Sequence, residues 1–159
     1  MSVTTDIVQS WRRPRAVFQR KRDEGLVEAR LLATLMGACL LIFLSLTPRL
    51  ARDAHFDPSV PLDARMAGAL MAVLFLVPLF AYALAGVTRL VARLLGGKGS
   101  GIASRLALFW SLLATTPLML LHGLVAGFIG PSTGLSLLGG GVALVFLYIW
   151  GNMLAEAER

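Results

Sequence analysis

The sequence predicts an all-α fold, a polytopic integral membrane bundle of four transmembrane helices with both termini in the cytoplasm. Four observations carry that reading. Of the 159 residues, 57% are hydrophobic and 15% charged, where a soluble domain holds about half and about a quarter. Residues 31–48, 66–88 and 106–155 contain no Asp, Glu, Lys or Arg, and even the first run spans about 27 Å as a helix, close to a hydrocarbon core of about 30 Å. The runs are continuously apolar and lack the alternation of a barrel strand. Finally, 12 of the 15 Lys and Arg fall on one side of the predicted spans, which makes that side cytoplasmic.

Residues 1–30 form a basic, amphipathic cytoplasmic arm, too short to bury a core of its own. Pro14 suits the start of a helix and Gly25 its end. Val8, Trp11, Val17 and Phe18 are apolar anchors among Arg12, Arg13, Arg15 and Arg20. Such a helix is expected to lie on anionic lipid, each basic side chain contributing about 1 kcal/mol. A solvated positive flank is the plainer alternative. Nucleic acid is not an expected partner, because membrane topology already accounts for the basic excess.

The first span is placed near 31–48. Cys39, the single cysteine, excludes an intramolecular disulfide and offers no metal-ligand spacing. Leu35-Met36-Gly37-Ala38-Cys39 resembles a lipoprotein cleavage box, but the apolar run continues past Cys39, so an uncleaved span is expected. The loop from Arg49 to Arg65 contains His55, Asp53 and Asp57, which are read as part of a connection rather than as metal ligands.

The second span, near 66–88, runs on past the interface with Arg89 and Arg93 on one helical face, and Gly96 is a natural C-cap. Gly96-Gly97-Lys98-Gly99-Ser100-Gly101 invites comparison with a phosphate-binding loop. It lacks the spacing and the Lys-Ser/Thr pair of one, so a flexible loop is expected. The last apolar run is too long for one helix and is divided by Gly127-Phe128-Ile129-Gly130-Pro131-Ser132-Thr133-Gly134. That places spans near 106–128 and 135–154, followed by a cytoplasmic tail at 155–159. Trp110, Tyr148 and Trp150 fall at the cytoplasmic interface, where amphipathic rings prefer to sit.

Leu94-Leu95-Gly96-Gly97-Lys98-Gly99-Ser100 followed by Leu106-Ala107-Leu108-Phe109-Trp110-Ser111-Leu112-Leu113-Ala114-Thr115-Thr116-Pro117-Leu118 resembles the Yip (Ypt-interacting-protein domain) family, in which a glycine-containing cytoplasmic turn leads into a proline-interrupted span. Arg13-Pro14-Arg15-Ala16-Val17-Phe18 is similar to the opening of bacterial members. Eukaryotic members typically have five spans and an Asp-Leu-Tyr-Gly-Pro motif that this chain lacks, so their role with prenylated GTPases is not carried over. The resemblance implies a small integral protein of a bacterial inner membrane, and it assigns no functional residues.

Within the spans, Pro117 removes a backbone donor and crowds the carbonyl of Leu113, so a kink is expected there, with Thr115 and Thr116 bonding the released groups. Gly123 and Gly127 form a Gly-x-x-x-Gly pair, and Gly139, Gly140 and Gly141 thin the facing end of the fourth span. Spans three and four are therefore expected to pack against each other near the far interface. The alternative is that the groove takes a second copy or another membrane protein. His122 is read as a neutral imidazole hydrogen-bonded between helices or to interfacial water. It has no second histidine, carboxylate or thiolate within a span to make a haem ligand set or proton relay.

Catalysis is not expected, because no nucleophile has a base and no intramembrane carboxylate is present. No cofactor or metal is expected. The leading reading is a non-enzymatic scaffold, assembly factor or accessory subunit of other membrane proteins. A small-molecule transporter or channel is the alternative, favoured by the kink and the glycines but short of polar groups at mid-membrane.

Overall fold

The computed structural model describes residues 2–159 and is helical throughout its ordered elements. Two short helices, α1 (Val3–Arg12) and α2 (Pro14–Asp23), precede four long ones. The first long helix is α3 (Glu28–Phe56). The second joins α4 (Leu62–Met71) through a π-helical turn (Ala72–Leu76) to α5 (Val77–Leu94). The last two are α6 (Gly101–Ile129) and α7 (Thr133–Ala157). By length and composition Glu28–Phe56, Leu62–Leu94, Gly101–Ile129 and Thr133–Ala157 can each cross a membrane.

Local chemistry sets the boundaries. The Ser2 hydroxyl accepts from the Thr5 N–H and opens α1. Pro14 then drives Arg13 out of the helical region (φ −138°, ψ 65°) and restarts the chain as α2. The arm is therefore two helices where one was expected. Ser100 and Ser132 cap α6 and α7 by accepting from the Ala103 and Leu135 N–H groups, both at 3.2 Å. Gly130, at φ +77°, ends α6 in a conformation that only glycine takes without strain.

The helices run beyond the apolar runs that predict them. α3 has 29 residues, about 43 Å of helix, and continues about two turns past the apolar run, carrying Arg49 and Arg52. Pro48 lies inside it and leaves the Leu44 carbonyl without its usual donor. The Thr47 hydroxyl takes that carbonyl at 2.8 Å. In α6 the same dipeptide repeats the device, the Thr116 hydroxyl donating to the Leu113 carbonyl freed by Pro117 at 2.7 Å. Thr115, by contrast, bonds Ser111 O within the regular ladder. The π turn ends two residues before Pro78, and its irregular ladder accommodates the missing donor.

Packing is concentrated at the arginine-rich end. There α6 is the central helix, burying Ala107, Leu108, Phe109 and Ala114 against Leu35, Ala38 and Cys39 of α3, Ala81 and Ala85 of α5, and Ile149 and Met153 of α7. Glu28 ties three helices at this level, pairing with Arg105 Nη1 at 2.6 Å and accepting from Tyr82 OH at 2.8 Å. Toward the other end α7 stands nearly clear, with only 6% of its membrane window buried against 33% for α6. In the α3–α4 loop, hydrogen bonds from Ser59 and Arg65 hold the Asp57 carboxyl below the usual carboxylate range.

Candidate functional site

The arm is docked on the bundle. Asp6, 1% exposed, staples α1 to α2 by pairing with Arg20 at 2.5 Å and Lys21 at 2.7 Å. Two indoles fasten the hairpin to α6: Trp11 Nε1 donates to Ala114 O at 2.8 Å, and Trp110 Nε1 donates to Ser10 Oγ at 2.9 Å. On the α7 side, Arg15 donates to Asn152 at 3.2 Å and Gln19 to Glu156 at 2.6 Å. Val17 and Phe18 are each 1% exposed and belong to the common core. A buried acid with two cationic partners would be costly if any partner were missing, so the hairpin is a specific element rather than a loose flank.

These contacts correct two of the lipid-facing assignments. Phe18 points into protein, because its ring completes the apolar layer at the near ends of α6 and α7. Arg89 is part-buried and pairs with Glu158 at 2.8 Å. Arg12, Arg13, Arg15 and Arg93 are exposed, and Trp11 is 36% exposed, so these side chains do reach the surface.

The glycine-rich loop cradles a carboxylate from its own chain. Glu158 Oε2 accepts from Arg89 at 2.8 Å and from the Gly99 N–H at 3.1 Å, while Oε1 accepts from Ser104 Oγ at 3.2 Å. The Lys98 N–H also donates to Glu158 O at 3.1 Å. A Cβ on Gly97 would lie 2.4 Å from Glu158 Oε2, and one on Gly99 would lie 2.2 Å from Ala157 O. Close approach, not flexibility, explains both glycines. Gly99→Ala is therefore expected to free the end of α7 and cost about 2 kcal/mol, within the range for overpacking a tight contact. Faster backbone amide exchange at Leu154–Glu158, with exchange in α3 unchanged, is the measurement that checks it.

The Gly-x-x-x-Gly pair faces a different helix from the one expected. A Cβ on Gly123 would stand 1.7 Å from Ser45 O, and one on Gly127 2.5 Å from Pro48 Cβ, so the groove is filled by α3 and not by α7. Ser45 and Pro48 are the α3 residues that occupy that groove. Beyond it, Arg52 Nη1 donates to Phe128 O at 3.2 Å and to Gly127 O at 3.4 Å, placing a cation on the C-terminus of α6. The contact of α6 with α7 at this end is narrower: Gly139 leaves room for the imidazole, Nε2 of His122 lying 3.1 Å from where its Cβ would be. Gly140 and Gly141 meet nothing within 4 Å.

No hydrogen bond joins His122 to another described residue, so the interhelical stitch expected of it is not formed within the chain. Its side chain borders a pocket of about 210 Å³ with Ser45, Arg49 and Met119. His55, Asp53 and Asp57 do not converge, since Asp53 pairs with Arg49, Asp57 with Arg65, and His55 packs on Phe56. Among the described residues no group of three His, Cys, Asp or Glu side chains is placed to hold a metal ion.

The contacts that sequence reading missed are Ser45, Pro48 and Arg52 on α3, Asn152 and Glu156 on α7, and the Glu158 anchor. Only Pro48 carried a visible signal, as the second copy of a Thr-Pro pair within an apolar run. The family model that describes the Yip1 domain matches residues 8–158, from within α1 to the end of α7. No curated protein and no solved structure matches the chain.

Proposed function

The chain belongs to the Yip1 domain family, and from that premise we propose that it is a scaffold, assembly factor or accessory subunit that binds other membrane proteins sideways, without chemistry of its own. The observation that carries this reading is the nearly unburied membrane window of α7. Leu137, Leu144 and Leu147 are more than half exposed along it, and the exposed backbone at Gly140 and Gly141 allows a second helix to approach closely. The transporter alternative has weaker support, because the pocket that His122 shares with Ser45 and Arg49 holds only about 210 Å³, below the range of about 300–1,000 Å³ for small-molecule sites. The charge bias favours both termini in the cytoplasm, and the similarity of Arg13–Phe18 to the opening of bacterial members favours a bacterial inner membrane.

A photo-crosslinking side chain at Leu144, exposed on α7, tests the reading beside one at Met153, which is buried. The expected result is a discrete protein adduct from position 144 and none from 153. Lipid adducts alone at 144, together with substrate-dependent flux in liposomes, would favour the transporter. Impermeant thiol labelling of Lys98→Cys and Asp57→Cys in intact cells reads the orientation, with reaction expected only at position 57.

A further inference from the structure

We propose that the tip of the α1–α2 hairpin is a binding site for the phosphate of an anionic phospholipid headgroup, with Arg12 and Arg13 as its ligands. This goes beyond the lateral-association role and rests on separate observations.

The first is depth. Ser10 bonds Trp110 and Trp11 bonds Ala114 O, so α1 descends along α6. α2 then returns, with Arg15 at Asn152 and Gln19 at Glu156. The turn at Arg12-Arg13-Pro14 is thus the deepest part of the arm. Ala114 lies about 13 Å along α6 from Arg105, the last charge before the apolar run. Counting a hydrocarbon thickness of about 30 Å back from Ile129 reaches roughly Phe109. The tip, level with Ala114, is therefore pinned roughly 7 Å inside the boundary between headgroups and acyl chains, a depth from which long cationic side chains reach back toward lipid phosphates.

The second is unmatched charge. Asp6 is engaged by Arg20 and Lys21 and Glu24 by Lys21 and Arg30, while Asp23 stands at the opposite end of α2 from the tip. Arg12 and Arg13 are exposed and join no ion pair among the described residues. At this depth the anion the surroundings supply is lipid phosphate, which two guanidinium groups recognise with directed, charge-assisted hydrogen bonds.

The third is a cavity of about 480 Å³ between the two helices, whose lining interleaves Val8, Ala16 and Val17 with Arg12, Arg13 and Arg20. That volume falls in the range of small-molecule sites, about 300–1,000 Å³. Apolar and cationic side chains in one cavity suit the glycerol and first methylenes of a lipid beside its phosphate. A zwitterionic headgroup would bring its own cation toward the same arginines, so an anionic headgroup is preferred.

Native mass spectrometry of the full-length protein, titrated with phosphatidylglycerol or phosphatidylcholine, tests the site. Phosphatidylglycerol is expected to bind in preference, and the R12Q/R13Q double variant to weaken it by about tenfold or more. Arg22→Gln, an exposed arm arginine outside the cavity, is expected to leave the preference intact. Ala16→Trp, which fills the cavity while every arginine remains, is expected to abolish it. Retention of parent affinity in R12Q/R13Q or in Ala16→Trp would overturn the proposal. So would an equal loss in Arg22→Gln, which would mean bulk charge, or displacement of the lipid by millimolar inorganic phosphate, which would mean a site for a free anion.

Discussion

Gly123→Leu is expected to be the most damaging single change on the far half of the bundle. The Cβ alone would stand 1.7 Å from Ser45 O, a backbone atom that no rotamer change can move aside. Relief requires α3 and α6 to separate, which also strips Pro48 from Gly127 and draws Arg52 off the end of α6. Overpacking a well-filled contact typically costs 1–3 kcal/mol and occasionally more. With backbone on both sides, about 3 kcal/mol is the expected loss, or roughly a 10 °C fall in the thermal midpoint in detergent for a chain of this size. Gly140→Leu is the matched control, because nothing lies within 4 Å of its Cβ position. It should melt within about 2 °C of the parent. Equal melting of the two variants would refute the α3–α6 seam.

The second large effect is expected at Phe18, 1% exposed in the layer shared by α2, α6 and α7. Truncation of a buried phenylalanine costs about 3–5 kcal/mol in protein cores. Here the loss is local, because the arm is held to the bundle by this layer and four directed hydrogen bonds. Phe18→Ala should therefore release the hairpin while the four long helices stay folded. Trypsin digestion of the detergent-solubilised protein reads this directly: cleavage at Arg20, Lys21 and Arg22 is expected to accelerate at least tenfold, since opening without the ring becomes that much more favourable. Val8→Ala, at an exposed position, should digest at the parent rate. Cleavage of Phe18→Ala at the parent rate would mean that the arm is not retained by this layer.

How far the structure can be read from the residues depends on what each signal measures. The long helices are legible because the charge-free runs contrast sharply with the arginines between them. The α6–α7 turn is legible because Gly130-Pro131-Ser132 contains both a terminator and a cap. Docking of the arm is not, since Val17 and Phe18 present the same amphipathic pattern whether their apolar face meets lipid or protein. The orientation of the glycine seam is likewise hidden. Gly123 and Gly127 announce that some backbone comes close, but choosing between α3 and α7 depends on the tertiary packing that sets Ser45 and Pro48 against them. Glu158 illustrates a third case: a carboxylate at the end of an apolar helix looks like a solvated tail, and its engagement by Arg89, Gly99 and Ser104 arises only once α5, α6 and α7 are assembled.

The paired Thr-Pro sites bear on how these helices stay whole in lipid. At each proline the carbonyl left unserved is already claimed from within the same helix, Leu44 O by Thr47 and Leu113 O by Thr116. Neither carbonyl needs water or a neighbouring chain for a partner. Proline has no hydrogen to give back, so each hydroxyl contact stands in for the backbone bond that is missing. α3 and α6 thus run helical through their prolines without turning an orphaned carbonyl toward the acyl chains, where one would cost several kcal/mol.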